Sequence, residues 1–462
     1  MIIETSLKDI ITKELAWHYK IVPSKYDDSS VVLKILESVN IIKVKDELEV
    51  ILGKDIEFEL ISELEINKLL TINYRLSTTE ISKTSKKNDL LVNIINEAIS
   101  IGSSDVHFEI FEDEARVRLR IDGVLIEKKS IKKSNYAELV NRIKIQANLD
   151  ISEKRLPQDG RTKIAGFDIR VSILPTHFGE KIVMRILGQD ATNINIDDLG
   201  FEPEEKEQYL EAIKKSNGII LISGPTGSGK TTTLYATLKI LNEVKRNILT
   251  IEDPVEYTLK GINQVQLNEA IGLTFSSALR SFLRQDPDII MLGEVRDSET
   301  AEMAIRASLT GHLVFSTLHT NSAWGTISRL MDMGVPSFLI AETLNISIAQ
   351  RLVRKLCIHC KKEMDINTKD FPKNYKLPSI LKKHSVEVGC EKCHFTGYKG
   401  RRAIYELLPI EKDTLEIIKN NKTTIKEYFT EHNIKTLSDK AFSLLRNGET
   451  SLNEIYSLLI TN

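Results

Sequence analysis

The chain has 462 residues, 41% of them hydrophobic and 28% charged, a make-up of folded domains; at roughly 100–200 residues per domain this predicts about three of them. Lys and Arg number 63 against 65 Asp and Glu, so a formal charge of −2 excludes a global basic field for nucleic acid, though not a local patch. The opening MIIETSLKDIITKELAWHYK has early acids and no uninterrupted apolar core, and no stretch approaches the roughly 18 apolar residues that span a bilayer, which predicts a soluble cytosolic protein.

Residues 1–85 mix short apolar clusters with charge, as in VVLKILESVNIIKV and LEVILGKDIEFELIS, and read as a small α/β or helical docking module without a catalytic constellation. The polar run Ser77–Asp89 has the composition of a linker. From Leu90, LLVNIINEAIS has the period of an amphipathic helix, and Gly102-Ser103-Ser104 ends it. VHFEIF and ARVRLRI alternate as strands do, and Asp122-Gly123 marks a hairpin. A second helix, YAELVNRIKIQANL, precedes the loop ISEKRLPQDGR, and strands follow at TKIAGFDIRVSILP and EKIVMRIL. Residues 86–188 are therefore expected to form an α+β domain. Its frequent arginines, among them Arg116, Arg118, Arg120, Arg155, Arg161, Arg170 and Arg185, read either as a solvated sheet face or as a set with a task.

Beyond the polar link GQDATNINIDDLGF, residues 202–356 alternate aliphatic strands (IILIS, NILTIE, DIIML, HLVFSTL) with helical segments, the pattern of a mainly parallel α/β sheet. Between the first strand and TTTLYATLKILNEV lies Gly224-Pro225-Thr226-Gly227-Ser228-Gly229-Lys230-Thr231, followed by Thr232, a complete phosphate-loop pattern. Its glycines let backbone N–H groups close on phosphate oxygens at the positive end of a helix; Lys230 would reach the outer phosphates and the Thr231 hydroxyl would ligate magnesium. The spacing therefore predicts a nucleoside triphosphate site.

Ligands of such sheets sit outside the carboxyl ends of the strands. Glu294 ends IIMLG, where a carboxylate meets magnesium, directly or through water, and can polarise the attacking water. Glu252 follows ILTI as a general base or water-orienting group, unless EDPVE is only a turn cornered at Asp253-Pro254. His312 and His319 bracket LVFSTL and read either as histidines satisfied beside a core strand or as sensors of the γ-phosphate.

Cys357, Cys360, Cys390 and Cys393 form two C-x2-C pairs, 29 residues apart, each able to give two thiolates to one tetrahedral structural zinc. Residues 357–400 are thus expected to form a zinc insert, and 401–462 a helical cap.

In chain order, SSDVHFEIFEDEARVRLRIDGVL with ISEKRLPQDGR, the phosphate loop, ILTIEDPVEY, LRQDPDIIMLGEVRD and LTGHLVFSTLHTN resemble the second N-terminal domain, phosphate loop, aspartate box, magnesium motif and histidine box of the secretion ATPases of type II secretion and type IV pilus assembly. The resemblance covers Ser103 to Glu406 and implies an α/β, RecA-like ATPase domain preceded by a PAS-like α+β domain, using ATP, Mg²⁺ and Zn²⁺. It implies a homo-hexamer on the cytoplasmic face of the inner membrane, where hydrolysis moves the α+β domain against the nucleotide domain. That motion would drive an inner-membrane platform protein to assemble a pilus or pseudopilus, with the N-terminal module held by a cytoplasmic docking protein. Carried over by motif, Lys230 and Thr231 hold phosphate and magnesium, Glu252 and Asp253 fall in the aspartate box, Glu294 is catalytic, His312 and His319 form the histidine box, and Arg170 and Arg185 approach the phosphates. The tetracysteine insert matches the assembly-type enzymes and not the retraction ATPases; Val295 stands where isoleucine is usual. A ring-shaped nucleic-acid motor for DNA uptake or conjugation is the alternative, but no basic stripe interleaved with aromatics is visible, so no nucleic acid is expected.

Overall fold

A computed structural model describes residues 7, 10–12, 15–16, 19–27, 29–36, 41–74, 90–188, 195–373, 375, 381–420 and 425–460. The predicted linker at 77–89 and residues 189–194 of the polar link lie outside them.

The N-terminal module is α/β. Strands β1 (Ile21–Tyr26), β2 (Ser30–Leu36) and β3 (Asp55–Ile61) pair in that order. β1 runs antiparallel to β2, whereas β3 is parallel to it because helix α1 (Ile41–Leu52) carries the chain back between them. Helix α2 (Glu63–Asn73) follows, and Val31, Leu33 and Ile35, alternating along β2, give one face to the core.

The second domain opens with α3 (Leu90–Ser100), then β4 (Asp105–Ile110), β5 (Ala115–Ile121) and β6 (Val124–Ile131), helix α4 (Lys133–Gln146), and β7 (Gln158–Ile164), β8 (Phe167–Thr176) and β9 (Gly179–Leu187). The six strands form one antiparallel sheet in the order β6-β5-β4-β9-β8-β7. Asp122 (φ 48°) and Gly123 (φ 86°) both take the left-handed conformation that a two-residue hairpin turn requires. One face packs Val106, Phe108, Val117 and Met184 on the helices; the other is charged.

The charged face is not simply solvated. Glu109, 5% exposed, accepts from Arg116 Nε at 2.8 Å and Arg118 Nη2 at 2.6 Å, with Lys181 Nζ at 3.1 Å. Asp105 likewise holds Arg185 Nε at 2.9 Å and Arg120 Nε at 3.3 Å. Arginines that alternate along β5 thus neutralise carboxylates that alternate along β4. The loop ISEKRLPQDGR is anchored from beneath: fully buried Lys144 pairs with Glu180 at 2.6 Å and donates to the Glu153 carbonyl at 2.6 Å.

The nucleotide domain starts at α5 (Pro203–Ile213), whose Pro203 occupies the first turn, where its missing N–H costs nothing. Strands β10 (Gly218–Ser223), β11 (Ile248–Glu252), β12 (Asn263–Gln266), β13 (Ile289–Leu292), β14 (Leu313–Leu318), β15 (Leu344–Leu356) and β18 (Tyr398–Pro409) form a seven-stranded sheet in the order β12-β11-β13-β14-β10-β15-β18. Every pair is parallel except β15–β18. Helix α6 (Lys230–Leu241) follows β10, α7 (Phe275–Phe282) precedes β13, α8 (Ser298–Leu309) links β13 to β14, and α9 (Ala323–Asp332) and α10 (Ser337–Thr343) lead into β15.

This corrects two expected boundaries. The nucleotide domain does not stop at residue 356, and residues 401–409 are not the start of a helical cap, because β18 pairs with β15 from Tyr398 to Pro409 and completes the sheet. The cysteine insert, with its small pair β16 (Lys362–Asp365) and β17 (Lys383–Val386), is the connection between these two strands. Helices α11 (Lys412–Lys419), α12 (Lys426–Glu431), α13 (Leu437–Arg446) and α14 (Leu452–Ile460) follow, and α13 and α14 share the core with the sheet. Among the described residues no helix is long and apolar enough to cross a membrane.

Removing one partner of a buried ion pair strands the other charge, at a cost of about 3–5 kcal/mol. Lys144→Ala is therefore expected to lower the calorimetric melting temperature of the α+β domain and expose the 150–158 loop to protease, whereas an unchanged transition would show that Glu180 does not need its cation.

Candidate active site

Strand β10 is buried at all six positions, and its neighbours in the sheet are β14 and β15, so the phosphate loop leaves the middle of the sheet with little freedom. A Cβ on Gly224 would lie 2.5 Å from the Gln350 carbonyl oxygen and 2.6 Å from Ser228 Oγ, so only glycine fits at the loop's root. Gly229, at φ 89°, begins α6 in a conformation that side chains rarely adopt. Inside the loop, Ser228 Oγ is buried without a hydrogen-bond partner. Lys230, 9% exposed, donates to the Gly224 carbonyl at 2.8 Å and the Pro225 carbonyl at 3.2 Å. Burial pulls its ammonium below the ordinary lysine range, against the attraction of Glu294. An orphaned hydroxyl, a cradle without side chains and a desolvated cation suit a polyphosphate.

Glu294 lies two residues beyond β13 and is brought within reach of Lys230's field. Its Oε1 accepts from Arg296 Nε at 2.7 Å and its Oε2 lies 3.2 Å from His319 Nε2, the histidine that follows β14. Arg296 also reaches Asp253 at 3.0 Å. Arg296 was absent from the sequence reading, although GEVRD puts it on the same side of an extended segment as Glu294. Thr231 is exposed at the first turn of α6 on the same edge, and its hydroxyl with the Glu294 carboxylate gives the hard oxygen donors that magnesium takes.

Two expected site residues are engaged in the fold itself, Glu252 at the carboxyl end of β11 and His312 at the amino end of β14. Glu252 is 4% exposed and both its oxygens are occupied: Oε1 accepts from Thr250 Oγ1 at 2.7 Å and Gln264 Nε2 at 3.1 Å, and Oε2 from the Tyr235 hydroxyl. These three bonds make it a brace between α6 and the segment after β11, with one acceptor position on Oε2 left for a water. His312 stands at the amino end of β14, six strand residues or ~20 Å from the carboxyl edge, with Nδ1 2.9 Å from the Ala307 carbonyl. It closes the turn after α8.

Of the two arginines from the α+β domain, Arg170 crosses to the nucleotide domain: it donates to the Val255 carbonyl and pairs with Glu256 at 3.1 Å. Arg161 on the adjacent strand reaches Gln266 at 3.4 Å. Arg185 stays on its own sheet with Asp105, although Glu256 is close enough to favour its charge.

The four cysteines are free thiols whose sulfurs all lie within 4.8 Å of one another. Cys357–Cys390, Cys360–Cys393 and Cys390–Cys393 are 3.9, 3.8 and 3.7 Å apart, far longer than a disulfide. Four sulfurs at about 2.3 Å from one zinc in a tetrahedron are separated by about 3.8 Å, so the cluster fits that ion. Just beyond it, Gly400 N–H donates to Asp122 at 2.7 Å, joining the β5–β6 turn to the start of β18.

Sheet, loop and acidic strand end together define a phosphate-loop ATPase with a companion α+β domain. Its lineage follows from comparison with known proteins. The chain belongs to the family of Type II/IV secretion system proteins, whose model matches residues 80–457. The type IV pilus assembly ATPase PilB of Myxococcus xanthus is 40% identical, over 98% of this chain and 86% of that one. The type II secretion system ATPase E of Vibrio cholerae is 45% identical, over 78% of this chain and 73% of its own length. Among solved structures, the pilus retraction motor PilT with bound ADP aligns with a TM-score of 0.56 at 27% identity, covering 80% of this chain and 97% of that one.

If Glu252 is a brace, Glu252→Gln and Tyr235→Phe break the same contact and should lower the melting temperature and turnover by similar factors. A dead Glu252→Gln beside a wild-type Tyr235→Phe would return Glu252 to the role of base. For the cysteines, elemental analysis is expected to find about one zinc per chain, falling in Cys390→Ser with loosening of the insert. Protein purified without chelator and free of zinc would remove the metal from the account.

Proposed function

We propose that the chain is the hexameric motor, peripheral to the cytoplasmic face of the inner membrane, that hydrolyses ATP to drive assembly of a pilus or pseudopilus. The observation that carries this reading is Arg170, a cation of the α+β domain seated on the segment between Asp253 and Glu256, beside the edge that holds Lys230 and Glu294. A motor needs its chemistry to depend on domain position, and this contact supplies that dependence. Residues 90–187 are read as the PAS-like second N-terminal domain, the sheet of residues 218–409 as the RecA-like core, and the first module as the part that a cytoplasmic docking protein holds.

With ATP in the loop, Lys230 exchanges two carbonyl oxygens for phosphate oxygens. Thr231 and Glu294 would hold magnesium, which supplies charge neutralisation to the phosphates when bound. Glu294 orients the attacking water and takes its proton, which requires Arg296 and His319 to loosen their hold on the carboxylate. Arg170, and Arg185 once released by Asp105, present planar guanidinium forks to the developing charge. The tetracysteine cluster, closing the connection of β15 to β18, would hold zinc in a structural role, because four thiolates would leave no open position.

Phosphate release by the purified chain should rise on adding the platform protein's cytoplasmic domain and stay unchanged with DNA; stimulation by DNA alone would favour the nucleic-acid motor. Arg170→Ala should cut turnover at least about tenfold, or about 1.4 kcal/mol of barrier, with a smaller change in ATP affinity. Arg155→Ala, whose side chain is 88% exposed, is the control expected to match wild type.

A further inference from the structure

Strand β15 runs beyond the end of β10, and the residues that pass the phosphate loop are Gln350 and Arg351. The Gln350 carbonyl blocks any Cβ on Gly224, and Arg351 Nη1 lies 3.1 Å from the same point. Nη1 also donates to the Gln350 carbonyl at 3.0 Å, while Nη2 donates to Asn321 Oδ1 at 3.1 Å. Asn321 sits in the loop between β14 and α9, two residues after the His319 that contacts Glu294. A single half-buried guanidinium therefore touches the root of the phosphate loop and the loop that holds the catalytic carboxylate's partner. Its charge also acts with burial against the Lys230 ammonium.

Glu406 is near enough for its charge to favour that of Arg351. On the antiparallel partner β18, Glu406 stands opposite Ala349, which puts it diagonal to Arg351 on one face of the sheet. Glu406 is 3% exposed and accepts the first N–H of two helices, Ala323 of α9 at 2.7 Å and Leu437 of α13 at 3.1 Å. Burial raises the Glu406 carboxyl above the ordinary range, while the two helix N–H groups and the charge of Arg351 pull against that rise. The segment from Asn321 to Ala323 is thus pinned at one end by Arg351 and at the other by Glu406, and α13 hangs on the same carboxylate.

We propose that Arg351 is a positioning residue: it sets the His319 loop against the root of the phosphate loop and, through Glu406, passes the state of that loop to helix α13. The proposal rests on ATP hydrolysis by this chain. Lysine would keep the charge but lose the planar fork that spans Gln350 and Asn321.

The test uses the full chain. Wild-type turnover is measured first, and its absence would overturn the proposed function together with this proposal. With wild type active, Arg351→Ala and Arg351→Lys should each lose at least about tenfold in kcat while the Kd for a fluorescent ATP analogue changes less than about threefold. Asn321→Ala should lose turnover as well, and adding it to Arg351→Ala should cost little more, because the two act as one contact. In hydrogen exchange, ATP should raise protection of amides 437–441 in wild type and not in Arg351→Lys, which stays folded by its melting temperature. Wild-type kcat in Arg351→Lys, additive losses with Asn321→Ala, or an ATP response at 437–441 that survives the substitution would each overturn the proposal while leaving ATP hydrolysis standing.

Discussion

The desolvated ammonium of Lys230 is the constraint on which the rest of the molecule depends. A cation with only loop carbonyls for partners is tolerated because a polyanion replaces them, and the whole central sheet is arranged to keep it there. β10 is buried along its length, so the loop cannot slide; Gln350 and Ser228 crowd Gly224, so it cannot reshape. Glu294 then stands two residues beyond β13, on the far side of β14, as a carboxylate whose charge favours that of Lys230. Stability and chemistry share these contacts, since the strands that fix the loop also form the largest core.

The second constraint is that the site is shared between domains. The charged face of the α+β sheet keeps most of its arginines occupied with Asp105 and Glu109, which leaves Arg170 and Arg161 to cross to the nucleotide domain. A further join is made where Asp122 in the β5–β6 turn meets Gly400 beside the cysteine cluster. The α+β domain is therefore held both beside the segment 253–256 and beside the cysteine insert.

Much of this was legible in the sequence where the signal is local. The phosphate loop, the Asp122-Gly123 turn and the C-x2-C pairs are short patterns whose geometry follows from residue type and spacing, and the aliphatic runs of β10, β13 and β14 name themselves. What escaped depends on long-range pairing. RLVRKL and GRRAIYELL carry Arg351, Arg354, Lys355, Arg401 and Arg402 and do not look like adjacent strands of a buried sheet, yet β15 and β18 pair over their length. β12, three polar residues around Val265, carries almost no hydrophobic signal. Glu252 is the last residue of β11 and Glu294 lies two residues beyond β13; burial against Tyr235, Thr250 and Gln264 is what sets Glu252 apart, and burial is not written in the local sequence. His312 and His319 bracket one strand and therefore stand at opposite edges of the sheet, a consequence of strand length that the motif alone conceals.

The proposed motor hydrolyses ATP at the edge of β10 and works as a hexamer. The most direct measurement is phosphate release per chain at saturating ATP across a range of protein concentrations, with the mass distribution recorded on the same samples. The account predicts that specific activity climbs with the fraction of chains in hexamers and is near zero for monomer. A rate per chain that does not change while the mass distribution shifts from monomer to hexamer would contradict it.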